Sequence, residues 1–344
     1  MAQGINFALA AKVGALAARP GPAITRPEGV HLVADLRNQS ERALGYVAEI
    51  TGLTEAADRA QSVPVAVTDR RGFAAGCVAM VDGLVAEAWE EEDVSWVAGQ
   101  VAGLQLGALI GMLAQRVLGY YDPFHRNRPD GPTGRVLLVA PNVLRFEREL
   151  DADPRDFHLW IALHELAHAV QFAAAPWLAG WLRQAFQEMM EADTEDGRGA
   201  RLIAAARRLP ELFSDEVPPE ADVAGLLAPA QAEILARITG AMSLLEGHAD
   251  VIMDAVGPKV VGTVEQLRPR FDARRAARGR LERALRRLAG LEAKTAQYVQ
   301  GAAFVRAVLA ERGHEGLNQA FSGPDALPTA AEMEEPAAWI ARVL

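Results

Sequence analysis

The chain has 344 residues, half of them hydrophobic, and carries 45 acidic against 35 basic side chains for a net charge of −10. That balance excludes a general nucleic-acid binder, which needs a basic surface for phosphates. A single cysteine, Cys77, excludes an internal disulfide, fits a reducing compartment and reads as a small buried apolar residue.

Ala, Leu, Arg and Glu dominate while aromatic residues make up 6%, a composition that favours helices. Phe7 to Ala18 is apolar, but Lys12 interrupts it and no basic residue precedes it, so a secretory signal is not expected and the protein reads as cytoplasmic. Pro20, Pro22 and Pro27 break this first helix from a second over about Leu32–Thr51. Residues 1–60 therefore form an N-terminal helical segment, expected to pack as one unit with the main domain, 61–344. Ser62–Thr68 and Val136–Ala140 have the apolar, β-branched character of short strands, with a loop over Arg126–Gly134 between the second of them and the preceding segment.

Trp96–Ala114 contains no charge, and Gly99, Gly103, Gly107 and Gly111 recur every four residues. The run is long enough to cross a bilayer. Gln100 and Gln105 inside it, and the acidic Glu90–Asp93 before it, favour a buried helix pressed against another through its glycine edge. No membrane partner is expected.

His164-Glu165-Leu166-Ala167-His168 carries the chemistry. On a helix, residues four apart return to nearly the same face, so His164 and His168 can point at one ion, with Glu165 placed as general base on a metal-bound water. Asp153-Pro154 reads as an N-cap with proline in the first turn, Asp156 complements the dipole, and Phe157–Phe172 continues without Gly or Pro. Two histidines require a third protein ligand. A helix from about Ala230 to Val256, stopped by Gly257-Pro258, offers Glu246, with Asp250 one turn on to receive the other ring N–H of a ligating histidine. His248, about 200° around that helix, is the alternative ligand.

Further along, Trp177–Ala192 reads as helical, and Thr194–Gly199 and Pro210–Asp222 as polar connections. Arg268–Arg287 holds nine arginines, which read as a solvated face pairing with the protein's own carboxylates rather than as an anion-binding surface. For a developing oxyanion the available donors are Tyr298, Tyr121 and His248, with Tyr298 the one chosen.

At these residues the chain resembles the zincin-like proteins common in actinobacteria, often labelled as associated with deazaflavin-coenzyme biosynthesis or as zinc-dependent metallopeptidases. The resemblance rests on HELAH, on Glu246-Gly247-His248-Ala249-Asp250, and on stretches such as Val117–Pro123, Leu138–Asn142, Gln171-Phe172 and Pro336–Trp339, from about residue 60 onward. It implies a mainly α, α+β zincin core: a helical bundle with a small sheet beside the HExxH helix. It further implies Zn2+ held by His164, His168 and Glu246, and Glu165 as base. Zincins offer a strand edge beside this helix to substrate. Val136–Ala140 is the candidate, unless that strand only packs. The expected function is a zinc-dependent hydrolase acting on a peptide or small amide substrate. The alternative is a catalytically silent zinc-binding scaffold, which would have no use for Glu165.

Overall fold

The computed structural model describes residues 4–85, 96–126, 133–191, 229–277 and 296–344. Helix α1 (Phe7–Ala17) begins on Asn6, whose side chain accepts from the Leu9 amide. Helix α2 (Arg26–Thr51) starts six residues earlier than Leu32. Pro27 stands in its first turn, behind a capping box in which Thr25 and Glu28 each satisfy the other's backbone N–H. Pro27 is thus a helix starter here, not a break. Gly52 ends α2 at φ +71, a conformation only glycine adopts without strain.

Helix α3 (Thr54–Ala60), strand β1 (Val65–Thr68), helix α4 (Arg70–Val85) and helix α5 (Trp96–Leu113) follow. The glycine edge of α5 forms the seam with α1. A Cβ on Gly103 or Gly107 would come within 2.4 Å of the Asn6 or Ala10 carbonyl oxygen, and one on Gly111 within 2.4 Å of Ala17 Cβ. By length and composition α5 is apolar enough to cross a membrane; its buried face is this seam, and Val97, Leu104 and Met112 point outward.

Strands β2 (Gly119–Arg126) and β3 (Thr133–Val139) complete a three-stranded sheet in the order β1-β3-β2, with β1 parallel and β2 antiparallel to β3. This corrects the expectation for Val136–Ala140. Its strand is central and bonded on both sides, so it has no edge to offer a substrate, and Ala140 already belongs to the next helix. The strand beside Glu165 is β2, which Gly119 and Pro123 disguise in the sequence. Pro123 lacks an N–H and sits where the register shifts between Asp122 and Arg126, as an edge strand permits.

Helix α6 (Ala140–Leu150) leads to α7 (Pro154–Ala174), which starts as its sequence predicts, with the Asp153 side chain accepting from the Asp156 amide and Pro154 in the first turn. From Phe157 to Gln171 every residue of α7 except His164 is buried. Leu36, Ala43 and Val47 of α2 share one core with Leu163 and Leu166 of α7 and Val136 and Leu138 of β3. Helices α8 (Leu178–Glu191), α9 (Pro229–Ala255), α10 (Val264–Ala277), α11 (Ala296–Asn318), α12 (Ala330–Glu334) and α13 (Pro336–Val343) cover the other side. Helices α9 and α11 cross with almost no space between backbones: a Cβ on Gly247 would lie 2.2 Å from the Gly301 carbonyl carbon.

Candidate metal centre

Helix α7 is fixed from two directions before its histidines are considered. Below them, His158 is buried with Nδ1 2.6 Å from Asp35 Oδ2 of α2 and Nε2 2.9 Å from Glu147 Oε2 of α6. Above them, Gln171 crosses to α9. A cavity of about 490 Å3 borders Asp35, Glu147 and His158, and none of its lining residues belongs to the HELAH cluster.

His164 and His168, one turn apart, face each other at right angles with Nε2 atoms 3.3 Å apart. Glu246 of α9 closes the group: its Oε2 lies 3.3 Å from His164 Nε2 and its Oε1 3.6 Å from His168 Nε2. The edge of a tetrahedron is about 1.6 times its radius, so ligands about 2.0–2.1 Å from a zinc-sized ion stand roughly 3.3–3.4 Å apart. The two imidazole nitrogens have that spacing from each other, and His164 has it from Glu246 Oε2, while the carboxylate meets His168 through its other oxygen at 3.6 Å; one ligand atom from each residue lies within 4.8 Å of the others. The fit holds chemically as well. His168 Nδ1 is engaged by Gln171 Oε1 at 2.9 Å, so its Nε2 presents a lone pair toward a second imidazole and a carboxylate. Such a convergence of acceptors needs a proton or a cation at its centre.

Without a cation, a proton would take that role. Burial works against a charged His164, but the hydrogen bond and charge of Glu246, with Glu165 and Asp250 behind, overcome it and hold the imidazole up to about 9. Burial lowers His168, and the charged neighbour His164 lowers it further against the pull of Glu246. Glu165 is buried, and that burial raises its carboxyl to about 7 against the pull of His164. It sits under strand β2: a Cβ on Gly119 would come within 2.9 Å of the Glu165 carboxyl carbon.

The remaining predicted residues are placed as follows. Asp250 Oδ1 lies 3.8 Å from His164 Nδ1, an ion-pair distance too long for a direct hydrogen bond. Met253 Sδ stands 3.2 Å from that nitrogen, and Arg268 holds the Asp250 side, with an N–H donated to the Asp250 carbonyl at 3.0 Å. His248 is not with His164, His168 and Glu246. It is fully buried beside Gln171 and Phe321, and burial, with His314 and His168 nearby, pushes it down to about 3. Tyr121 packs its ring on Phe172 at 5.0 Å, and burial raises its phenol beyond its ordinary value. The side chain of Tyr298 lies outside the described residues, as do the connections 194–199 and 210–222 and most of the arginine run. Of that run, Arg268 pairs with Asp254 at 2.8 Å, and Arg270 donates to the Leu150 and Asp151 carbonyls. Cys77 is packed against the core of α1, α4 and α5, and burial raises its thiol to about 11.

Gly119, Met253 and Gln171 were not singled out as parts of the site by sequence reasoning. Gln171 had a signal, since three residues after His168 is the same helical face. Met253 had the same kind of signal, three residues after Asp250 and seven after Glu246 on one face of α9, whereas Gly119 had none, because only the tertiary fold brings it to the site.

A family model described as zincin-like metallopeptidase matches residues 5–340. The chain belongs to that family. The match includes the N-terminal helices, so it reaches well before residue 60. No curated protein matches the chain. Among solved structures, the crystal structure of "a putative hydrolase with a novel fold" from Chloroflexus aurantiacus is similar, with 28% identity, 98% of each chain covered and a TM-score of 0.63. A zincin-like protein of this kind is expected to hold a metal, usually zinc, and the His164, His168 and Glu246 donors are the group of that type among the described residues.

Proposed function

We propose that this zincin-like protein is a soluble zinc-dependent hydrolase that cleaves peptide or other amide bonds. The observation that carries this reading is the ionisable, buried Glu165 beside a three-donor cluster. A carboxylate buried at that position is costly in a site that only holds a metal in place. His164, His168 and Glu246 would hold the zinc. When bound, it supplies Lewis acidity and lowers the pKa of water in its remaining position. Glu165, poised near neutrality, accepts the proton from the attacking water and returns it to the leaving nitrogen. Strand β2 supports a peptide substrate: among the described residues it pairs with β3 alone, and Gly119 brings its backbone against Glu165. A substrate main chain added along β2 would place its carbonyl over the donors.

The test is zinc content of gently purified protein, together with hydrolysis of a fluorogenic peptide library by wild type and Glu165→Gln. Stoichiometric zinc in both, with cleavage by wild type only, supports the enzyme. Zinc in both and cleavage by neither supports the scaffold. Wild type free of zinc removes both readings.

A further inference from the structure

Gln171 is buried at the contact of α7 with α9, one turn beyond His168. Its Nε2 donates to the Leu245 carbonyl oxygen at 2.9 Å, and the same amino group lies 3.2 Å from His248 Nδ1. Its Oε1 lies 2.9 Å from His168 Nδ1.

A backbone carbonyl can only accept, so only one of the two amide orientations satisfies this arrangement. Turning the amide over would set oxygen against oxygen at Leu245 and leave a buried carbonyl without its donor. With the amino group committed to Leu245, the amide oxygen must face His168, and His168 Nδ1 must carry the hydrogen. His168 Nε2 is then left with its lone pair toward His164 and Glu246. His248 completes the bracket by accepting at Nδ1 the second amino hydrogen. Leu245 precedes Glu246 in the chain, so the group that sets the amide is next to the carboxylate it serves.

We propose that Gln171 is a positioning residue that fixes the tautomer of His168, with the Leu245 carbonyl as its reference and His248 as its second acceptor. The two halves of the donor set, on α7 and α9, are thereby registered through one amide. For its consequence on zinc the inference rests on the reading above; for the tautomer it does not.

The test uses the full chain, metal-free and zinc-loaded. Long-range 1H–15N correlation spectra of the metal-free protein report which His168 nitrogen bears hydrogen, and chelator competition reports zinc affinity. Wild type is expected to show His168 as the Nδ1–H form. Gln171→Leu, which removes the acceptor, is expected to lose that single form and to bind zinc 10- to 100-fold more weakly. Gln171→Glu, which keeps an acceptor for His168, is expected to retain the Nδ1–H form. A purely structural role would lower the melting temperature of both variants and leave the tautomer unchanged, which overturns the proposal. So does wild type showing the Nε2–H form, a result that needs no variant to fold. Failure of wild type to bind zinc, with the tautomer pattern as stated, removes the zinc reading and leaves the positioning role standing.

Discussion

Replacing Gly247 with alanine tests whether the crossing of α9 and α11 sets the position of Glu246. In an open helical position this change gains roughly 1 kcal/mol from helix propensity. Gly247 is not open: the new Cβ would sit 2.2 Å from the Gly301 carbonyl carbon and 2.5 Å from the Ala302 nitrogen. Ordinary carbon contacts begin near 3.5 Å, so the helices must part by over about 1 Å against backbone that cannot rotate away. Overpacking costs about 1–3 kcal/mol, and backbone obstruction places this case at the upper end or above. Parting the helices also loosens the cluster of Leu244, Phe304, Val305 and Val308. After the propensity gain, a net loss of about 2–3 kcal/mol remains. Glu246, the preceding residue, moves with α9 and leaves the spacing a metal requires, so zinc affinity should fall at least 10-fold. Gly45→Ala on α2 is the control, since nothing lies within 4 Å of its Cβ position. Denaturant unfolding of both metal-free variants, with chelator competition for zinc, gives the answer. A Gly247→Ala protein as stable as Gly45→Ala, or with wild-type zinc affinity, refutes the argument.

Gly119→Ala should press on the Glu165 carboxyl and lower kcat/KM on a cleavable peptide by about 100-fold while zinc content stays at wild-type level; loss of zinc instead would mean that β2 supports the ligands rather than the base. Zinc must displace the proton that His164 holds up to about 9, so affinity should rise roughly tenfold per pH unit below that value, and calorimetry at pH 8 in two buffers should show about one proton released. Below about pH 6.5 the lowered His168 and His248 oppose the raised Glu165, but above it both of those imidazoles are neutral folded or unfolded, and the upward shifts of Glu165 to about 7 and His164 to about 9 leave the metal-free fold binding more protons than the unfolded chain. Stability should therefore fall as pH rises from about 6.5 to about 9, and stability that rises over that window contradicts both shifts. Asp35→Ala strips one partner from buried His158 and should cost about 1–3 kcal/mol in denaturant unfolding with little change in zinc affinity.

The helix that carries HELAH was legible because its signals are local. Asp153, Pro154 and the four-residue histidine spacing each act within two turns, and the structure places them as those rules require. Glu246 was legible for a weaker reason: a carboxylate and an aspartate on one face near a helix end. Its partner Asp250 shows the limit, since the face was read correctly but Met253 occupies the contact with His164 Nδ1. Strand β2 was hidden because Gly119 and Pro123 suggest a loop, whereas at an edge beside Glu165 each has a steric or hydrogen-bonding reason. The order β1-β3-β2 was equally hidden, because strand order depends on long-range pairing that no short window contains. Helix α6 went unread because Pro141, a starter in its first turn, looks like punctuation.

The enclosure of α7 from Phe157 to Gln171 bears on how the molecule breathes. A segment gripped through His158 at one end and Gln171 at the other has no room to pivot. Because Gln171 also ties α7 to Leu245 beside Glu246, the imidazoles and the carboxylate stay together, and if the site widens to admit a polypeptide the moving jaw is edge strand β2 over Glu165. Amide hydrogens along α7 and around Glu246 should then exchange only on global unfolding, and those of β2 sooner, leaving the strand as the gatekeeper.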